Sequence, residues 1–235
     1  MPMFGMFIDP LYLIMLIPGL LLAGWASLKV KSTFAKYSRI PSSRGLTGAE
    51  TARRILRSNG IFDVQVEETQ GMLSDHYDPR SKVVRLSPEV YRQPSVASMA
   101  VAAHEVGHAL QHARGYAPLA LRSAAVPMAQ LGSYAPWIIM IGGFLLHMLE
   151  LVYVGVALFT VTVIFQLITL PVEINASSRA KVQLAQMGLV SHADANGVSK
   201  VLTAAAMTYV AAAVSAVITL LYYLIRLGLI GGRDE

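Results

Sequence analysis

His104, Glu105 and His108 are the residues whose types and spacing point most directly to chemistry. They form His-Glu-x-x-His within Ala102-Ala103-His104-Glu105-Val106-Gly107-His108-Ala109-Leu110, a stretch of helical character. On a helix, positions four apart stack one turn above each other, so the two imidazoles face the same way and can share one Zn²⁺. Glu105 then stands beside the first ligand, where it can take a proton from a metal-bound water and later pass it to a leaving amine. Two imidazoles do not close such a site, so a further ligand must come from elsewhere. His112 extends the same face by a turn, but three turns of one straight helix do not easily converge three imidazoles on one ion. A place on the helix surface or a role supporting the ligands is expected for it. The bland alternative for the motif is a partly buried helix whose histidines are satisfied by polar neighbours. Gly107 would let another element approach closely there.

The elements that must position these residues are mostly apolar. Of 235 residues, 54% are hydrophobic and 14% charged, whereas a soluble domain carries about 25% charge. Most of the chain is therefore expected in lipid. The net charge of +5 does not imply a nucleic-acid partner, because the basic residues cluster beside hydrophobic segments, where they fix orientation. Absence of cysteine excludes disulfides and Cys-ligated zinc.

An apolar run over 8–30, broken by Pro18-Gly19 and ended by Lys29 and Lys31, is long enough to span a bilayer. Its positive charges follow it and residues 1–7 carry none, which favours an uncleaved anchor with its N-terminus outside over a signal peptide. Lys29, Lys31, Lys36, Arg39, Arg44, Arg53, Arg54 and Arg57 face a single acid, Glu50, which places the next part on the cytoplasmic side. Thr47 and Glu50 have capping-box spacing for a helix whose apolar side is Ala52, Ile55 and Leu56. Strands are expected over 61–66 and 82–86. Between them, Asp75-His76-Tyr77-Asp78-Pro79-Arg80 reads as a turn with side-chain caps rather than a second metal site. A free strand edge near the active helix could hold an extended peptide by backbone hydrogen bonds. The motif helix should begin near Ser95 and reach about His112 before Gly115 stops it. Residues 117–131 read as an amphipathic piece along the bilayer, interrupted at Pro127.

Over 135–169 the only side chains able to carry charge are His147 and Glu150, near the middle. They mark an outside turn between two short spans of roughly 15 and 20 residues; a buried ion-pathway pair is the alternative. Two crossings return the chain to the cytoplasmic side at Leu170-Pro171-Val172-Glu173. An acid directly after a lipid run is costly unless exposed or paired, and Glu173 is expected as the carboxylate ligand, giving His, His, Glu and an open position. Pairing with Arg179 or Lys181 is its other reading. Residues 192–197 read as loop or helix start. The last span, over 201–225, is rich in small residues such as Ala204, Ala211 and Ala213, which permit close packing, self-association or a partner membrane protein. The tail over 231–235 would lie outside.

The expected organisation is a mainly α integral membrane protein, with about four transmembrane helices and a small cytosolic α+β part carrying the zinc-binding helix. Residues 1–30 hold the first transmembrane helix, 31–132 the cytosolic catalytic part, 133–172 a transmembrane hairpin, 173–200 a cytosolic segment with the third ligand, and 201–228 the last transmembrane helix.

Several stretches together carry a resemblance: Leu73-Ser74-Asp75-His76-Tyr77-Asp78-Pro79-Arg80, Val83-Val84-Arg85-Leu86-Ser87, Ala103-His104-Glu105-Val106-Gly107-His108-Ala109-Leu110-Gln111, Leu170-Pro171-Val172-Glu173, and Val201-Leu202-Thr203-Ala204-Ala205-Ala206-Met207-Thr208-Tyr209-Val210-Ala211-Ala212. In these the chain resembles the neutral zinc metallopeptidases of the bacterial YugP-like membrane family, distantly related to HtpX-type membrane gluzincins. The resemblance implies an integral-membrane zinc protease of the gluzincin type; in a bacterial cytoplasmic membrane the charge bias beside the spans turns its active site to the cytoplasm. It implies His104 and His108 as ligands, Glu105 as base and Glu173 as the distant third ligand. One departure stands out. The family commonly has Glu-Phe-Asp-Ala-Ser where this chain has Glu173-Ile174-Asn175-Ala176-Ser177, and related membrane gluzincins carry an Asp four residues after the ligand Glu. The carboxylate that steadies a ligating histidine is therefore supplied elsewhere or absent.

The function expected is zinc-dependent endopeptidase cleavage of cytosolic or membrane-associated polypeptides near the cytoplasmic membrane surface. Candidate oxyanion donors are His76, Tyr77, Arg179, His192 and Tyr209, with His76 and Arg179 first because both flank elements tied to the site. The alternative is a non-catalytic membrane scaffold or partner-binding protein with a structural zinc site. Three protein ligands plus water favour the enzyme and four protein ligands the scaffold. A transporter would require polar residues along the spans, and only His147 and Glu150 offer them.

Overall fold

A computed structural model describes residues 10–72 and 74–230. The outside placements expected for residues 1–7 and 231–235 fall outside the described residues. Helix α1 (Pro10–Tyr37) is followed by α2 (Gly48–Ser58), strands β1 (Gln65–Glu68), β2 (His76–Asp78) and β3 (Val83–Leu86), then α3 (Pro88–Arg92), α4 (Val96–Ala113), α5 (Ala117–Leu145), α6 (Leu149–Gln186) and α7 (His192–Arg226). Among the described residues, α1, α5, α6 and α7 are long and apolar enough to cross a membrane. The protein is a multi-pass, mainly helical membrane protein with a small β region. Ile14, Leu21, Leu28 and Ile138 project outward from these helices, as residues facing lipid chains do.

The long helices run further than their sequence suggests. Helix α5 continues through Pro127 and Pro136, so no break falls at Pro127. A proline removes one N–H from the ladder, and the turns on either side hold an apolar helix together. Helix α6 runs 38 residues through Pro171 to Gln186, so Glu173 sits within a continuous helix rather than in a segment following one. Residues 192–197 are helical too: Ser191 Oγ accepts the Asp194 N–H at 3.1 Å and Asp194 Oδ2 accepts the Ser191 N–H at 3.0 Å. This reciprocal cap starts α7 well before residue 201.

The chain divides into two compact units. Among the described residues, one comprises 10–25, Leu121–Leu170 and 209–230. Its core contains Met140, Phe144, Val152, Val156 and Tyr222. Small residues bring its helices close: the Ser215 hydroxyl donates to the Gly19 carbonyl at 3.1 Å, and the Thr162 hydroxyl to the Gly132 carbonyl at 2.9 Å.

The other unit comprises Ala26–Ala120 and Pro171–Thr208. Thr47 and Glu50 form the expected capping box on α2, and Ala52, Ile55 and Leu56 are buried. The sheet has the order β1-β3-β2, with β1 parallel and β2 antiparallel to β3. The first strand falls at 65–68 rather than 61–66. In the stretch read as a turn with side-chain caps over 75–80, Pro79 and Arg80 do form a turn capped by Asp78, while His76–Asp78 contribute β2, because Val83–Arg85 supply backbone partners that local composition does not reveal. Ser95 caps α4 by accepting the Ser98 N–H, and Gly115, at φ 62°, lies just past its end. Val84, Leu86, Val90, Met99, Val106, Leu110, Leu184 and Leu202 join sheet and helices in one core. The rear of the motif helix is thereby immobilised.

Candidate metal centre

Helices α4 and α6 meet at Gly107, where an added Cβ would stand 2.5 Å from the Ala176 carbonyl oxygen. Only glycine tolerates that approach without moving backbone. The close crossing puts the α6 carboxylate in front of the α4 imidazoles. His104 Nε2 lies 3.1 Å and His108 Nε2 3.6 Å from Glu173 Oε2. The two rings meet edge-on, 4.8 Å between centroids. One ligand atom from each of the three residues falls within 4.8 Å of the others. The 3.1 and 3.6 Å separations are near the roughly 3.4 Å edge of a tetrahedron with bonds of about 2.1 Å, and two imidazoles with one carboxylate suit a catalytic zinc with an open position. His108 and Glu173 are buried and His104 is partly so.

The rear nitrogens are also engaged. His108 Nδ1 lies 3.0 Å from Gln111 Oε1. Because an amide oxygen only accepts, Nδ1 carries the proton and Nε2 presents its lone pair forward. The Gln111 amide group donates to the Val172 carbonyl at 2.8 Å and to Asn175 Oδ1 at 3.0 Å. Asn175 Oδ1 also accepts from Arg179 Nε at 2.7 Å. His104 Nδ1 lies 3.1 Å from the Ser177 hydroxyl. Asn175, which departs from the family pattern, and Ser177, which stands where related membrane gluzincins carry an Asp, thus still support the histidines with neutral groups, Asn175 through Gln111. Gln111 was not singled out for a role by its sequence; the available signal was its place three residues beyond His108, within reach on the same helix face.

Glu105 is 8% exposed. Burial pushes its carboxyl up to about 7; His104 opposes this, the Glu173 and Asp75 carboxylates add to it, and the Tyr77 backbone N–H, donating to Glu105, opposes it. Asp75 is held by the Ser87 N–H at 2.8 Å and the Ser87 hydroxyl at 3.0 Å, and burial raises its carboxyl too. His112 does not join the ligand cluster; its Nδ1 meets the Tyr77 hydroxyl at 2.7 Å. His76 is exposed on β2 with Nδ1 2.7 Å from the Ser74 carbonyl. Arg179 lies over the Tyr116 ring, 5.7 Å from its centroid, while bonded to Asn175. His192 is exposed at the start of α7, and Tyr209 lies within that helix.

Apolar helices long enough to span a membrane, one of which supplies Glu173 to a buried His-His-Glu cluster, define a membrane metallopeptidase. The family described as "Putative neutral zinc metallopeptidase" matches residues 12–228, and the chain belongs to it. It is also 50% identical over 225 residues to the "Putative membrane protease YugP" of Bacillus subtilis (strain 168), covering 96% of this chain and 99% of that protein. No solved structure matches.

Proposed function

We propose that the protein is a zinc-dependent endopeptidase that hydrolyses peptide bonds of cytosolic or membrane-associated polypeptides at the cytoplasmic surface of a bacterial membrane. The observation that carries this reading is a buried, proton-avid Glu105 adjacent to a convergent His104, His108 and Glu173. The bound zinc would supply Lewis acidity, polarising the scissile carbonyl and making a water acidic. His104, His108 and Glu173 would hold it, while Gln111 and Ser177 keep the imidazoles turned forward. Glu105 takes the proton of the attacking water on a carboxylate oxygen and delivers it to the departing amide nitrogen.

Of the two leading donors for the oxyanion, Arg179 is always protonated. It spends one N–H on Asn175. His76, whose Nδ1 serves the Ser74 carbonyl, would have to be an imidazolium to donate from Nε2. We therefore assign the role to Arg179, with His76 second. The basic residues after the first span support a cytoplasmic site. The short edge strand β2 suits an extended polypeptide better than a folded surface. Ala204, Ala211 and Ala213 are buried within the chain, so self-association or a partner membrane protein would have to use other faces.

The test compares purified wild type with Glu105→Gln in detergent, measuring zinc and cleavage of an unstructured protein. Both should bind about one zinc per chain, while the variant cleaves at least about a hundredfold more slowly. Equal cleavage by the two would remove the reading.

A further inference from the structure

Strand β2 touches α4 in two places through one residue. The Tyr77 backbone N–H donates to the Glu105 carboxylate. Its phenol oxygen lies 2.7 Å from His112 Nδ1, the two rings tilted at 53° with centroids 5.9 Å apart. Glu105 and His112 are seven positions apart on α4, which is two turns along one face. Tyr77 therefore lies along the helix from the base to the second histidine beyond it.

The strand needs such a seat. It is three residues long and sits at the edge of the sheet, with β3 as its only sheet neighbour among the described residues. A strand this short is weakly held by its ladder alone. Its flanks are tied down elsewhere: Asp75 to Ser87, and Asp78 to the Arg80 N–H at 2.9 Å and the Ser81 hydroxyl at 2.6 Å. Tyr77, in the centre, is the residue whose N–H and hydroxyl both reach α4. The terminal torsion of a glutamate is broad and nearly two-fold, so an N–H fixed on one carboxylate oxygen sets where the other points.

We propose that Tyr77 and His112 clamp β2 onto α4 and thereby aim the Glu105 carboxylate, both acting as positioning residues for the hydrolysis. The proposal deepens the catalytic reading above and rests on Glu105 being the base. The phenol suits this role, because burial pushes Tyr77 up to about 12, so it keeps the proton it offers to His112 Nδ1. A cleft of about 160 Å³ lies alongside, lined by Ile61, Asp63 and Lys82 as well as by the pair. Asp63 and Lys82 bond each other there at 2.6 Å, and the Asp63 carboxylate also feels the His112 ring.

The experiment uses the full chain in detergent, zinc-loaded, with an unstructured fluorogenic peptide, and compares Tyr77→Phe, His112→Ala, the double variant and His112→Gln. Tyr77→Phe and His112→Ala should each lower kcat about tenfold, with KM and zinc content close to wild type. The double variant should be little worse than either single one, because the pair acts as a unit. His112→Gln, which keeps an acceptor, should recover most of the rate. Unchanged kcat in Tyr77→Phe, effects that multiply in the double variant, or loss of zinc in step with activity would each overturn the clamp. Hydrogen exchange of the peptide spanning β2 reads the same contact without catalysis, and should quicken about tenfold in Tyr77→Phe and His112→Ala. Unchanged exchange refutes the clamp. Equal cleavage by wild type and Glu105→Gln refutes the base assignment instead, and with it the aiming role, while the exchange result still decides whether β2 is seated this way.

Discussion

His104 and His108 face the same carboxylate, yet they are held from behind in different ways. Behind His108 stands a chain of amides, Gln111 then Asn175, ending on the Arg179 guanidinium. The oxygen that His108 meets can only accept, so the ring's protonation is dictated before any metal arrives. Behind His104 stands one hydroxyl, Ser177, which can donate or accept. That ring takes its tautomer from whatever lies in front. One ligand is thus preorganised and the other adaptable, and the support for both comes largely from the helix that delivers Glu173.

This difference is most directly broken by removing each support in turn. Gln111 is fully buried, and Gln111→Ala strips the acceptor from His108 while leaving the Asn175 and Val172 oxygens short of a donor. Zinc affinity should fall about a hundredfold, whereas Ser177→Ala should lower it about tenfold or less. Competition with a chelator measures both. Equal losses would mean that the two imidazoles are supported alike and that the amide chain adds nothing.

How much of this was legible in the sequence follows from where each partner lies. The two histidines and the base were visible because helix periodicity relates them within five residues. Glu173 was visible because an acid directly after an apolar run demands a reason. Gln111 stood in view three residues beyond His108, but its anchoring on the Val172 carbonyl, 61 residues away, was hidden, as was the His104–Ser177 contact across 73. No local pattern encodes such distances. Strand β2 was hidden for a similar reason, since Asp-Pro chemistry and a strand compete locally and only pairing with β3 decides. Helix α5 was read as interrupted at Pro127, because proline reports the loss of one hydrogen bond and says nothing of the turns that hold the rest, whereas residues 192–197 are the helix start that was one of their two readings.

The comparison can be sharpened by giving His104 what His108 already has. Ser177→Asp would place an acceptor-only carboxylate against His104 Nδ1, fixing its proton there and raising the basicity of the forward nitrogen. Zinc should bind up to about tenfold more tightly, without a matching gain in melting temperature, because the added charge is buried between α4 and α6. Unchanged or weaker zinc binding would show that the tautomer of His104 is not what limits affinity.

The smallest expected effect concerns the proposed base, which feels the adaptable side: His104 opposes the rise of the Glu105 carboxyl to about 7. An unfolded glutamate titrates near 4.3. The folded value is the higher one, so this group's contribution to stability is fully present below the unfolded pKa and is lost as pH rises through about 7. Metal-free wild type should therefore melt at a lower temperature at about pH 8 than at about pH 5.5. Glu105→Gln should show a shallower dependence. Some slope will remain, because burial raises Asp75 in the same direction. For catalysis the sign is reversed in consequence: Glu105 must be ionised to accept a proton, so kcat/KM falls as pH drops through its pKa. A bound dication stabilises the carboxylate, so the acid limb of the loaded enzyme should lie below that of the metal-free titration. Identical melting profiles for wild type and Glu105→Gln would show that this carboxyl is not the strained group its burial implies.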